Sequence, residues 1–379
     1  MRLWIEHAHE SLVGTGHAAA SGEAGSCAVR TFQTEEQFFA VLVSCPQAGA
    51  EGGTKAGQIA GNVSAMLERG TPLETVVETT LATLPKGEHI PISILHVLGE
   101  CQAQLVECDA PPLFLTHRGR PVLLPVLEDI SHGRLLRQCR FPLQDGDHLA
   151  MVSEGYIRAK GWDRRWGWRD IALSIKRLTD TGCDAEQLLG ALIRMYHRLA
   201  RGETAQKVTV VAMHVRPLRS ATVWSGPPAD PVQDRRALDR LMAEPGRRII
   251  CGGTTAEIAA RMLGSHLEIE PRPAAGWAEV PPTWRLEGVD LVTEGAVTLG
   301  KARERIAGAR RAQDLSRSDD GATRLARLLL AADVVRFVVG TAVNPAQTDG
   351  TMSWRQDAIE KLVLDLQARG KIVSLERVG

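Results

Sequence analysis

Three times in its last third the chain repeats one local grammar: an apolar stretch, a glycine-bearing loop and a helical pattern. Arg248–Cys251 leads into Gly252-Gly253-Thr254-Thr255 and then Ala256–Leu263. Val289–Thr293 leads through Glu294-Gly295 into Val297–Ala307, and Val334–Val339 through residues 340–347 into Trp354–Arg369, before a last strand at Lys371–Leu375. Parallel strands cannot be joined by tight hairpins, because each must cross over through a helix. The pattern therefore predicts a small α/β domain with a mainly parallel sheet. Ligands in such sheets bind beyond the carboxyl ends of the strands. That makes Gly252, Gly253, Thr254, Thr255, Glu294 and Asn344 candidate ligand residues. The first loop runs straight into a helix, so its backbone N–H groups and two hydroxyls suit an anion such as phosphate. It has neither the Gly-Lys-Ser/Thr ending of a Walker A loop nor the G-x-G-x-x-G order. The simpler account of the same residues is N-capping by Thr254 or Thr255.

The first half reads differently. Strand patterns fall at Phe38–Ser44, Ser93–Leu98, Gln104–Cys108, Leu113–Thr116, His148–Ser153 and Val208–His214. Helical periodicity occupies Lys55–Arg69, Leu73–Leu84, Trp168–Leu178 and Ala185–Arg201. Many strands with two helix pairs predict an α+β domain, most simply sheets sandwiched between helices. Prolines 217, 227, 228 and 231 place a Pro-rich linker at 217–232, between domains at 1–216 and 233–379.

Lys+Arg and Asp+Glu are equal at 45 each in 379 residues, so whole-chain charge gives no reason to expect nucleic acid or membrane as partner. No stretch is long and apolar enough to span a bilayer. Seven scattered cysteines form no C-x-x-C pair, which suits reduced thiols in the cytoplasm.

Gly146-Asp-His-Leu-Ala-Met-Val-Ser-Glu-Gly-Tyr156 is an apolar strand that delivers one carboxylate, Glu154, into a glycine turn. Asp109-Ala-Pro-Pro-Leu-Phe-Leu115 followed by Arg118-Gly119, then Phe141–Asp147, then Lys207–Val211, complete an ordered set. Gly49, Gly53, Lys55 and Ala56 form a glycine turn with a helix start. Together these segments resemble the metal-dependent PPM-type (type-2C) protein phosphatases, in the bacterial branch of the sporulation stage II E phosphatase. The resemblance implies a four-layer αββα sandwich for the first domain. It also implies a centre in which carboxylates hold two Mg²⁺ or Mn²⁺ ions that activate a water. Bacterial two-domain relatives carry a similar tail, matched here at Cys251–Ala256, Gly288–Gly295 and Asn344-Pro345.

The family's metal-binding aspartates fall on Ala48 (beside Gly49), on Glu154 (beside Gly155) and on Gln206-Lys207. Three of four acidic positions are thus neutral or basic, and Glu154, the one metal ligand left, is more simply read as a solvated or salt-bridged relic at a strand end. Around them, Glu51 is expected as an exposed charge and Asp109 as a turn cap before Pro111-Pro112. Asp145 and Asp147 are expected to fix the turn before the strand, His7 and His9 to lie on the surface, and Trp162, Trp166 and Trp168 with their interleaved arginines to form a packed flap. The expected function is a pseudophosphatase of the sporulation stage II E type, with a regulatory or binding role toward a phosphoprotein or regulatory protein. No cofactor is expected, and Mn or Mg only if the protein is active. The alternatives are an active Mn/Mg-dependent phosphoprotein phosphatase with non-standard ligands, or a binder of small anionic ligands through the C-terminal domain.

Overall fold

The protein is described by a computed structural model in which residues 2–12, 25–99, 101–157, 168–180, 182–199, 208–270, 280–309, 311–342 and 354–379 are placed. The chain divides into two compact units, Met1–Pro217 and Leu218–Gly379.

In the first unit the elements run β1 (Leu3–Leu12), β2 (Gly25–Gln33), β3 (Gln37–Ala48), α1 (Gly49–Glu68), α2 (Leu73–Thr83), β4 (Ile92–Leu98), β5 (Gln102–Cys108), β6 (Phe114–His117) and β7 (Arg120–Pro121). They continue with β8 (Leu127–Ser131), β9 (Arg134–Pro142), β10 (Asp147–Val152), the single turn α3 (Glu154–Ile157), α4 (Trp168–Thr179), α5 (Ala185–Leu199) and β11 (Val208–Pro217). Two antiparallel sheets form, ordered β1-β11-β10-β6-β7 and β2-β3-β4-β5-β9-β8.

Alternation along each strand decides which layer a side chain enters. Ala40, Leu42, Leu95, Leu105, Leu149, Met151, Val211 and Met213 fill the space between the sheets. Their neighbours Phe39, Val41, Val43, Ile92 and Ile94 face outward onto α1 and α2. Ala150, Val152, Val208 and Val210 face α4 and α5 instead. α1 can lie flat on its sheet because Gly52, Ala56, Ala60, Val63 and Leu67 recur every three or four residues as a narrow buried stripe. The layers are therefore helix, sheet, sheet, helix, as the resemblance implied.

The second unit comprises β12 (Ser220–Ser225), α6 (Asp234–Ala243), β13 (Arg247–Cys251), α7 (Gly253–Leu263), β14 (Glu268–Ile269), β15 (Thr283–Arg285), β16 (Leu291–Thr293), α8 (Ala296–Ala307), α9 (Gly321–Ala331), β17 (Val334–Gly340), α10 (Trp354–Gln367) and β18 (Ile372–Val378). Its sheet is ordered β14-β15-β16-β13-β12-β17-β18. The pairs from β16 to β18 are parallel, and β14 and β15 add an antiparallel extension.

This corrects the expected linker. Residues 217–232 contain β12, which hydrogen-bonds in parallel to β13 on one side and β17 on the other. Of the prolines that suggested a linker, Pro217 precedes the strand and Pro227, Pro228 and Pro231 follow it. From Arg303 to Arg324 the chain runs through the end of α8, a loop with a short 3₁₀ turn at Ala312–Asp314, and the start of α9. Asp320 caps α9 by accepting from Ala322 and Thr323 N–H at 3.0 and 3.1 Å. Arg303 pairs with Asp365 at 2.6 Å, and Arg305 pairs with Asp320.

β12 and β17 are joined tightly at their ends. A Cβ on Gly340 would lie 2.0 Å from Pro227 O and 2.3 Å from Gly226 O, both backbone atoms that cannot swing aside. Gly340→Ala is expected to cost about 1–3 kcal/mol, measured as a lower denaturant midpoint for the second unit. Wild-type stability in this variant would mean that the two loops lie further apart.

Candidate functional site

Glu154 is placed by its neighbours in sequence. Ser153 ends β10 by donating its N–H to Thr209 O at 2.9 Å and accepting from Thr209 N–H at 3.0 Å on Oγ. Two residues on, Tyr156 is fully buried, stacks on Tyr196 and donates its hydroxyl to Leu192 O at 3.0 Å. Anchored on both sides, the turn holds the Glu154 carboxylate partly exposed at the end of the sandwich.

There it meets an imidazole that sequence patterning did not single out. His89 Nε2 lies 3.1 Å from Glu154 Oε2, and its Nδ1 lies 3.9 Å from Asp109 Oδ2. Asp109 is engaged further: Oδ1 accepts from Leu135 N–H at 3.0 Å and Oδ2 from Arg134 at 3.4 Å. Arg134 is buried and also donates to Pro85 O at 3.0 Å. The expectation that Asp109 caps a turn before Pro111-Pro112 is thus replaced. Its backbone takes a left-handed conformation (φ +48°), and its carboxylate pins the start of β9. A second pair, Lys55 on α1 with Glu88, lies beside the buried Cys45.

The remaining sequence candidates are scattered. Glu51 is exposed in the first turn of α1. Asp147 behaves as a turn residue, accepting from Gln144 N–H at 2.7 Å and meeting His117 Nδ1 at 2.7 Å. His9 is exposed, but His7 is partly buried, its ring 5.3 Å from that of Phe38, and burial lowers its pKa. Ala48 and Gly49 end β3 and open α1. Gly155 is buried in the α3 turn. Gln206, Lys207, Trp162 and Trp166 lie outside the described residues.

A hard divalent ion takes oxygen ligands whose charge offsets its lost hydration. Three carboxylates at this end of the sandwich already face basic side chains: Glu154 faces His89, Asp109 faces Arg134 and Glu88 faces Lys55. Among the described residues no group of three or more His, Cys, Asp or Glu side chains is arranged to hold a metal ion. The residues present do not fit a two-metal centre, and no hydrolytic step is derived through one.

A buried carboxylate lies next to this end of the fold. Glu107, on β5, is 2% exposed between the sheets, accepts from Leu113 N–H at 2.5 Å and pairs with Arg137 at 2.9 Å. Burial raises its pKa to about 7, against the opposing pull of Arg137 and the Leu113 N–H.

In the second unit Gly252 ends β13 at φ +138° and α7 begins at Gly253 with no side chain capping it. This overturns the capping account for Thr254 and Thr255. Thr254 is exposed, while Thr255 is 1% exposed and its Oγ1 has no hydrogen-bond partner. Glu294 Oε2 accepts from Thr298 N–H at 3.3 Å, at the start of α8. Asn344 lies outside the described residues.

The first unit is an αββα sandwich of two antiparallel sheets, the arrangement that the resemblance to the PPM-type phosphatases implied. Among solved structures, the chain is similar to the phosphatase domain, with a fragment of the regulatory domain, of the cell fate determinant SpoIIE of Bacillus subtilis. That likeness has 11% identity over 56% of this chain and 63% of that one, with a TM-score of 0.45. The RsbU and RsbW domains of Rv1364c from Mycobacterium tuberculosis align at 16% identity over 67% of this chain and 69% of that one, with a TM-score of 0.47. RsbX, solved in complex with magnesium, aligns at 12% identity over 56% of this chain and 95% of that one, with a TM-score of 0.41. These are likenesses of fold alone. No family model matches the sequence, and no curated protein is detectably similar to it. Among the described residues no helix is long and apolar enough to cross a membrane.

Proposed function

We propose that the first unit is a pseudophosphatase: a PPM-type scaffold that serves as a binding or regulatory module in signalling rather than as a metal-dependent hydrolase. The observation that carries this reading is the Glu154–His89 contact at 3.1 Å. An imidazole stands against the carboxylate that the resemblance assigns to a metal. The positions of its partner ligands are Ala48, Gln206 and Lys207, which offer no carboxylate. A single carboxylate already facing a basic side chain is a weak cage for Mg²⁺ or Mn²⁺. The partner this reading implies is a phosphoprotein or regulatory protein, met in the cytoplasm. The domain division at 1–216 and 233–379 is kept in it with one change, that β12 belongs to the second domain.

The test is Mn²⁺ titration by calorimetry, run beside turnover of a phosphoryl ester. Neither Mn²⁺ binding nor turnover is expected. Turnover that Glu154→Ala abolishes would overturn the proposal in favour of an active Mn/Mg-dependent phosphatase with other ligands. A variant combining Ala48→Asp, Glu154→Asp, Gln206→Asp, Lys207→Asp and His89→Ala is expected to gain Mn²⁺ binding, because it supplies carboxylates and removes the facing imidazole.

A further inference from the structure

In chain order, the parallel strands of the second unit lie third, second, first, fourth and fifth across the sheet, as β16, β13, β12, β17 and β18. Successive crossovers therefore run in one direction from β12 and then return to its other side. The loops leaving β12 and β17 diverge where the winding reverses, and that is where an open α/β sheet takes its ligand. Hydrogen bonding closes the base of this crevice, since Ala342 N–H donates to Pro227 O at 3.1 Å. On its other side the loop after β12 meets the loop after β13.

Three residues without side chains line that edge: Gly226, Gly252 and Gly295. A Cβ on Gly252 would come within 3.9 Å of Gly226 N, and one on Gly295 within 3.8 Å of Gly252 Cα, so the loops after β12, β13 and β16 are contiguous there. The first turn of α7, eleven residues long, enters this surface uncapped. Its leading N–H groups cannot bond within the helix. The Thr255 hydroxyl lies 3.0 Å from the position of the missing Gly252 Cβ, so it points into the same bare loop. It is 1% exposed and has no partner, and an unpaired buried hydroxyl is costly.

The charge comes from α10. The Arg355 guanidinium packs on Gly226, its Cζ 2.3 Å from where a Cβ would stand. It donates to Gly340 O at 3.2 Å and to Ala342 O at 3.4 Å, while its buried Nε has no partner. Burial lowers its pKa, the sign of a cation poorly compensated for lost water. Two acids of the flanking loops point elsewhere: Glu294 onto Thr298 N–H and Asp230 onto Val232 N–H at 3.0 Å.

We infer that this edge binds the phosphate group of a small phosphorylated molecule, with the leading α7 amides, the Thr255 hydroxyl and the Arg355 guanidinium as its donors. Phosphate matches the donors in charge and in number of acceptor oxygens, and a planar guanidinium suits it better than an ammonium would. The inference is independent of whether the first unit is an enzyme, because every donor lies in the second unit.

The experiment is calorimetric titration of the full chain with inorganic phosphate, and separately with AMP, at constant ionic strength. Saturable binding of phosphate, AMP or both is expected in the wild type. Thr255→Val and Arg355→Gln should each weaken it about ten-fold or more, the loss of one good hydrogen bond to a charged group. Thr255→Val should leave thermal stability without ligand unchanged or raised, since the hydroxyl it removes bonds to nothing, and this separates a lost site from a lost fold. Absence of saturable binding of either probe in the wild type would overturn the inference, as would binding that both variants retain in full.

Discussion

Replacing Trp224 by alanine is expected to cost the second unit about 3–5 kcal/mol, the range for truncating a large aromatic in a packed core. Trp224 lies on β12, the middle of the five parallel strands, and is fully buried among Leu238, Leu241, Ile250, Ala256 and Val338. Alanine would leave a cavity that a central strand, fixed by ladders on both sides, cannot collapse to fill. It would also remove the indole N–H that donates to Gly226 O at 2.9 Å, leaving a buried carbonyl short of a partner at the start of the loop Arg355 packs on. Chemical denaturation followed by amide exchange at Ile249 and Val338 measures the effect. A cost under about 0.5 kcal/mol, ordinary for an exposed position, would return residues 217–232 to the status of a linker.

Glu107→Ala is the second large effect, about 3–5 kcal/mol from the first unit, because it strands Arg137 as a mostly buried, unpaired cation. It also frees Leu113 N–H, so the turn through Pro111-Pro112 loses its inner anchor. The same carboxyl has a pH signature. In the unfolded chain it loses its proton near 4.5, whereas the folded protein holds it to about 7. The folded state therefore binds more protons between those values, and stability falls as pH rises through that window. The contribution is fully present below pH 4.5 and lost by pH 7. Glu107→Gln cannot titrate, so its stability curve should lack this descent. A wild type and Gln variant with parallel curves from pH 4.5 to 7 would show that Arg137 keeps the carboxylate ionised throughout.

How much was legible in the sequence follows from where the information resides. β3, β4, β5, β10 and β11 were readable because their alternation is carried by β-branched and long aliphatic side chains against a two-sided core. The helices α1, α2, α4 and α5 were readable from their buried stripes. β1 and β2 were missed because their patterns are diluted by His, Glu, Ser and Arg, as suits half-exposed strands. β12 was missed through its neighbours, since proline density around a strand of six residues outweighed the strand itself.

At the first site, the absence of carboxylates at Ala48, Gln206 and Lys207 was plain in the sequence. The basic side chains that face the remaining acids were not. His89 precedes β4 in a loop with no periodicity, and Arg134 starts a β-strand that was not expected. Only the folding of β9 against β5 brings Arg134 to Asp109, and no spacing rule carries that distance. At the second site the glycine loops were legible, but not the hydroxyl left bare at Thr255 nor the guanidinium 100 residues further along the chain.

The pairing of β1 with β11 has a consequence in time. Leu3 sits opposite Pro217 and Leu12 opposite Val208, so the first strand made waits for the last of its unit. The sheet holding β2 to β5, β8 and β9 is complete once residue 142 has been made. The other stays open until β11 arrives between β1 and β10. Chains fold slowly when contacts join distant residues, and unpaired strand edges invite other chains meanwhile. During synthesis β10 must therefore stand with one edge bare while some sixty further residues emerge, and a ribosome stalled between residues 153 and 207 would present that edge to whatever lies nearby.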